Sequence, residues 1–232
     1  KEDWRTFLPV LRDAGWTAVA ISRRGQADSA APTEPRDYSL DEEAADVVRV
    51  ARLLDDGAPV HLVGHSLGGV IVRAAALQDP TAFRDVVQFC SGPHGWPYRK
   101  VAELTILHDT GGNLRQLFDS TNPLWAYRPD EELPDDVRMV RDRFDATSPL
   151  SVVAGGHILE DHTDASDALR ATGLPVLVAH GEWDNAWPIP WQRAMAEQTG
   201  AEYVVIPASY HGPQVENPLG TVAVFDAFLS QH

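Results

Sequence analysis

The stretch PVHLVGHSLGGVIVRAAAL, residues 59–77, changes character in its middle, and that change decides the fold. Val60, Leu62 and Val63 form a short apolar run of the kind that makes a strand buried on both faces of a parallel sheet. From Val70 the apolar residues Ile71, Ala74, Ala75 and Leu77 recur near a 3.6-residue period, so the backbone turns from extended to helical between Gly64 and Gly69. Ser66 sits at the apex. A tight strand-to-helix turn crowds the chain on either side of it, and side chains at Gly64 and Gly68 are expected to collide there. The serine is held in strained dihedrals, a cost of about 1–3 kcal/mol that persists where a side chain must be displayed. A glycine-rich turn that merely contains a serine would lack the strand before it and the amphipathic helix after it.

Gly64-His65-Ser66-Leu67-Gly68-Gly69 resembles the nucleophile elbow of the α/β-hydrolase family, in the form common among esterases and lipases. The resemblance implies a doubly wound, mostly parallel sheet with a helical cap inserted in it. In that family the loop corresponding to residues 22–29 reads Asp-x-Arg-Gly-x-Gly-x-Ser. This chain has Ser22, Arg24, Gly25, Ala27 and Ser29 at those places, so Ser22 and Ala27 depart from the pattern.

Outward from the elbow, periodicity supplies the remaining elements. Trp4, Phe7, Leu8 and Leu11 fall at i, i+3, i+4 and i+7, predicting a helix over Glu2 to Ala14 that Gly15 ends. Trp16 to Ile21 is the next predicted buried strand. Ser39 to Glu42 has capping-box spacing, and Ala44, Val47, Val48, Ala51, Leu53 and Leu54 carry that helix to a stop at Asp55-Asp56-Gly57. Phe83 to Cys90, Leu174 to Ala179 and Glu202 to Pro207 read as further strands, with helices over Trp191 to Thr199 and Pro218 to Leu229. Strands alternating with helices imply a parallel α/β sheet. Between Pro93 and Ala171 the pattern becomes short helices without a strand. Residues 1–92 and 172–232 are therefore expected to form the hydrolase core and residues 93–171 the helical cap. Trp96, Tyr98, Phe118, Trp125, Tyr127 and Phe144 are expected to supply mainly the cap's own core.

A serine hydroxyl is a weak nucleophile; it needs a base beside it, and the base needs a third group to fix its tautomer. In this fold the chain order is Ser, then Asp or Glu, then His. Ser66, Asp184 and His211 meet that order, each after a predicted strand and so at the carboxyl edge of the sheet, where open α/β folds bind ligands. Glu182 competes with Asp184 for the acid's place. The resemblance adds that the acid follows a glycine at a strand end, here Gly181, and that the histidine precedes a Glu-x-Pro, here Glu216 and Pro218. The Leu67 N–H is the expected oxyanion donor. The family's second donor comes from a loop ahead of its first helix, and no such loop is found before residue 1. The chain accordingly reads as a fragment of a longer protein.

The other histidines, His61, His65, His94, His108, His157, His162 and His180, read as bystanders. His157 and His162, with Asp161 and Asp164 near them, lack i, i+4 ligand spacing, so no metal is expected. Phosphate-loop and dinucleotide patterns are absent, so no cofactor is expected. Acidic residues number 34 against 19 basic ones, a net charge of −15, and the basic residues are scattered. That balance argues against nucleic acid and anionic membranes as partners and leaves a small-molecule substrate. No apolar run approaches the roughly 18 residues of a membrane span. The single cysteine, Cys90, lies in an apolar run, has no disulfide partner in this chain and reads as a buried thiol. A cytoplasmic setting is expected.

These readings predict a serine hydrolase that cleaves an ester or lactone of a small to medium apolar substrate through an acyl-enzyme. The family's dehalogenases and epoxide hydrolases use an aspartate nucleophile, and Ser66 argues against both. Carbon–carbon bond hydrolases and cofactor-free perhydrolases keep the same triad, and the motifs do not separate them from esterases. A non-catalytic ligand-binding module on this fold is the alternative of a different class.

Overall fold

Residues 1–55 and 57–232 are described by the computed structural model, so the expected helix stop at Asp55-Asp56-Gly57 falls in part, at Asp56, outside the described residues. The helix expected over Glu2 to Ala14 is in two pieces, a 3-10 turn at Glu2–Trp4 and α1 at Leu8–Asp13. Pro9 explains the division: it has no N–H to give and is tolerated only in a helix's first turn. Gly15 ends the helix at φ 95°.

Trp16 to Ile21, expected as a strand, forms none. A strand exists through its ladder, and among the described residues nothing pairs with this segment. Trp16 instead packs edge-on against His61, with ring centroids 5.4 Å apart, and donates from Nε1 to Asp226 at 3.0 Å.

The periodic segments fold as read. Helix α2 spans Leu40–Leu54, strand β1 Val60–His65, α3 Leu67–Gln78 and β2 Phe83–Phe89. Helices α4 (Val101–Asp109), α5 (Leu114–Thr121), α6 (Asp135–Asp145), α7 (Pro149–Glu160) and α8 (Ser166–Ala171) follow without an intervening strand among the described residues. Then come β3 (Val176–Gly181), α9 (Ile189–Thr199), β4 (Glu202–Ile206), α10 (Pro213–Glu216) and α11 (Pro218–Leu229).

All strand pairs are parallel, in the order β1-β2-β3-β4. Their register runs His65 to Phe89, Phe89 to Ala179 and Ala179 to Val204, which brings the carboxyl ends together along one edge. Alternate residues of each strand serve opposite faces. Leu62, Val86, Val176 and Val178 pack with Val72, Ala75 and Met195 on one face. Val87, Phe89, Leu177 and Ala179 pack with Phe7, Leu11, Phe225 and Phe228 on the other. Burial of each large apolar side chain contributes about 1.5–3 kcal/mol, so both helical layers are held by the sheet they cover.

Two compact units divide the chain: residues Lys1–Ile21, Leu40–Gly95 and His162–His232 make the first, and Ser22–Ser39 with Trp96–Asp161 make the second. The first holds the sheet. In the second, Phe118 packs edge-on against Phe144 at 5.7 Å, and buried Arg141 donates to the carbonyls of Arg128 (2.7 Å) and Trp125 (2.6 Å) and to Asp130 (2.8 Å). Tyr98 and Tyr127, expected in that core, are instead 79% and 93% exposed. Each sits in a turn at φ 64° rather than on a helix face, so no packing surface directs it inward. The 22–29 loop lies in this unit. Its Ala27 adopts φ 47°, a left-handed conformation, at the position where the family pattern has glycine. Ser29 Oγ ties the loop by donating to the Ser22 carbonyl at 2.7 Å.

Candidate active site

Ser66 stands alone between β1 and α3, at φ 55° and ψ −120°. Its N–H donates to the Phe89 carbonyl across the sheet (2.9 Å) and its carbonyl accepts from Gly69 N (2.9 Å), so the backbone is anchored on both sides of the strained residue. A Cβ at Gly64 would overlap the Gly68 carbonyl and Val72. The expected collision at Gly68 is absent, since a Cβ there meets nothing within 4 Å. The second crowded position is Gly69, where a Cβ would overlap Ser91. Leu67 is the first residue of α3, so its N–H has no partner within the helix and lies at the positive end of the helix dipole.

The carboxyl ends of β3 and β4 place Asp184 and His211 together. His211 Nδ1–H donates to Asp184 Oδ1 at 2.9 Å. The same oxygen accepts from the N–H of Ala186 (3.0 Å) and Trp187 (3.3 Å), while Oδ2 accepts from Gln192 Nε2 (2.9 Å). Burial pushes the Asp184 carboxyl upward. The hydrogen bond and charge of His211, joined by the Ala186 and Gln192 donors, outweigh that and hold it below its ordinary value.

Glu182, the competing acid, is occupied elsewhere: its Oε2 accepts from Ala208 N at 3.0 Å. Glu216 accepts from the Tyr210 N–H. Trp183 N donates to the Ser209 carbonyl at 3.0 Å, and Glu182 N donates to the Ile206 carbonyl at 2.9 Å. The loop carrying His211 is thus laced to the loop carrying Asp184. Gly181 permits the approach, because a Cβ there would overlap the carbonyl oxygens of Ser209 and Tyr210.

His65 is no bystander. Its Nε2–H donates to the His211 carbonyl at 2.7 Å, and the two rings lie 4.9 Å apart. Burial, followed by the charge of His211, lowers its pKa from 6.5 to about 4, so it stays neutral. Sequence offered only its adjacency to Ser66. Through His65 the elbow touches the His211 loop. Ser66 Oγ itself makes no hydrogen bond to His211 among the described residues.

Cys90 is fully buried, with its thiol pushed well up by desolvation and then by the Asp184 charge. Its donor atom and those of His65 and His211 lie within 4.8 Å of one another, and among the described residues they are the one group with metal-ligand chemistry. Each imidazole already has one ring nitrogen engaged by a protein partner, and the thiol holds its proton. His180 and His61 are tied into the sheet's own hydrogen bonding. His180 Nδ1–H donates to the Gly181 carbonyl (2.7 Å), which leaves Nε2 to accept from the Tyr203 hydroxyl (2.6 Å). His61 Nδ1 pairs with fully buried Asp85 at 2.5 Å.

A parallel sheet with a strained serine between strand and helix, and an Asp–His pair at the same strand ends, defines a class of protein. The chain belongs to the alpha/beta hydrolase family, whose model matches residues 1–224. It is 28% identical over 225 residues to a non-heme haloperoxidase of Rhodococcus erythropolis, covering 91% of this chain and 81% of that protein. It is 25% identical over 242 residues to a pimeloyl-[acyl-carrier protein] methyl ester esterase of Methylococcus capsulatus, covering 98% and 89%. Identity reaches 36% with a bifunctional epoxide hydrolase 2 of Sus scrofa, but over 83 residues that span 36% of this chain and 15% of that protein. A solved bromoperoxidase of Bacillus anthracis shares the fold with a TM-score of 0.80 at 19% identity, covering 99% of this chain and 87% of the other. Among the described residues no helix is long and apolar enough to cross a membrane.

Proposed function

We propose that this hydrolase cleaves a carboxylic ester or lactone of a small to medium apolar substrate, with Ser66 as nucleophile, His211 as base and Asp184 as the acid that orients it. The observation that carries the proposal is the 2.9 Å contact from His211 Nδ1 to an Asp184 carboxylate also held by the Ala186, Trp187 and Gln192 donors, at the strand ends that also present Ser66. With its proton on Nδ1, His211 has the Nε2 lone pair available as base. Ser66 Oγ closes to hydrogen-bond reach of Nε2 when substrate binds, as resting geometries of such pairs are commonly long. Attack on the carbonyl carbon passes the serine proton to His211, and the tetrahedral oxyanion is stabilised by the Leu67 N–H and the α3 dipole. His211 then protonates the leaving alkoxide, and water activated by the same nitrogen releases the acid from the acyl-serine.

The test is labelling with a fluorophosphonate probe, alongside hydrolysis of p-nitrophenyl acetate by the parent and by Ser66→Ala. Labelling of the parent alone, with a fall in turnover of about 10³-fold or more in the variant, is the expected result. An unlabelled parent would favour a non-catalytic ligand-binding module.

The haloperoxidase relative, which covers most of the chain, favours a second reading on the same triad. Hydrogen peroxide in place of water would release a peracid from the acyl-serine. Peracid formation from acetate and peroxide, lost in Ser66→Ala, separates this reading from a pure esterase.

A further inference from the structure

Gln192 lies within α9 and is fully buried, although glutamine is among the residues that in proteins mostly face water. Its Nε2 donates to Asp184 Oδ2 at 2.9 Å and to the Trp187 carbonyl at 3.3 Å. Both partners are acceptors only, which fixes the amide with its nitrogen toward the carboxylate. The cost of that orientation is visible at the other end of the amide: Gln192 Oε1 is buried and has no hydrogen-bond partner. An apolar side chain would fill the place without stranding an acceptor, so packing alone does not account for a glutamine here.

What the amide does is hold one oxygen of Asp184. The Ala186 and Trp187 N–H groups converge on Oδ1, the oxygen that also accepts from His211. Gln192 is the partner of Oδ2. Without it Oδ2 loses this amide donor and, with His211 and the Cys90 thiol left as the side-chain groups bonded to the carboxylate, the group is freer to turn about its Cβ–Cγ bond, carrying Oδ1 out of line with His211 Nδ1. We propose that Gln192 is a positioning residue that acts through Asp184, setting the orientation of the carboxylate and through it the tautomer and aim of the base. The inference rests on the Ser66–His211–Asp184 reading and goes beyond it.

A double-mutant cycle on p-nitrophenyl acetate tests it. Gln192→Met keeps an unbranched side chain of similar length and removes the donor; Gln192→Glu keeps the shape and turns an acceptor or shared proton toward Asp184. In the parent background each is expected to lower kcat by about 10–10²-fold while KM stays within about twofold, the scale set by small misplacements of reacting groups. In an Asp184→Ala background the same changes are expected to cost nothing more, because the group Gln192 acts on is gone. Equal losses in both backgrounds would overturn the proposal by showing a purely structural role. So would full kcat in both single variants. If Gln192→Met fails to fold, Gln192→Glu carries the same comparison. The two readings fail differently: an Asp184→Ala single variant with undiminished turnover removes the site itself, whereas a crippled Asp184→Ala beside unaffected Gln192 variants removes only the positioning role.

Discussion

His65 shows how one half-buried side chain ties pH to stability. Its folded pKa of about 4 lies below the ordinary 6.5, so between those values the unfolded chain binds a proton that the native state refuses. Stability from this group is full above about pH 6.5 and declines as the pH is lowered toward 4, where it levels. At about 1.4 kcal/mol per unit the loss is at most about 3–4 kcal/mol. Urea unfolding at several pH values should show the parent losing about 2–3 kcal/mol more than His65→Gln across that window. Parallel curves for the two proteins would show that burial of His65 is unrelated to the acid sensitivity. The residue scale is also where sequence was least legible. The crowding at Gly64 follows from the elbow's own geometry, but the second crowded glycine is Gly69, whose neighbour Ser91 belongs to a different strand end and cannot be inferred from that geometry. Gln192 gave no signal, because a glutamine on a helix is ordinary until the fold puts a carboxylate beside it.

At the scale of elements, the strand–helix alternation was legible because periodicity is a property of each segment alone. Segments whose conformation depends on a neighbour were not. WTAVAI has the composition of a buried strand, yet no described residue pairs with it. Pro9 divided a segment that its apolar spacing made continuous, and turn backbone at Tyr98 and Tyr127 overrode an aromatic's tendency to be buried. The contact between Asp184 and His211 depends on two loops approaching at Gly181. Gly181→Ala is expected to cost about 10²-fold or more in ester turnover and several degrees in Tm, since a methyl group there overlaps carbonyl oxygens and the backbone must part to admit it. Measuring both on the purified variant decides the matter, and retention of parental turnover would show that the loops tolerate separation.

For the whole molecule, a charge of −15 sets a field that every approaching substrate crosses. For matched esters carrying a quaternary ammonium or a carboxylate, kcat/KM is expected to favour the cation at about 0.01 M salt. The preference should shrink toward unity at about 1 M, as the Debye length falls from about 30 Å to about 3 Å. A preference that persists at high salt would place the selectivity in local contacts instead. The order of the strands along the chain has a different consequence, one of timing. His65 and the His211 carbonyl that it holds are 146 residues apart, and β4, the last strand among the described residues, leads into the loop that carries the proposed base. During synthesis Ser66 is therefore made long before the histidine proposed to activate it. On the proposed triad, reactivity at Ser66 switches on only when β4 docks, so the first turnover would report the closing of the sheet's β3–β4 edge rather than the first collapse of the chain.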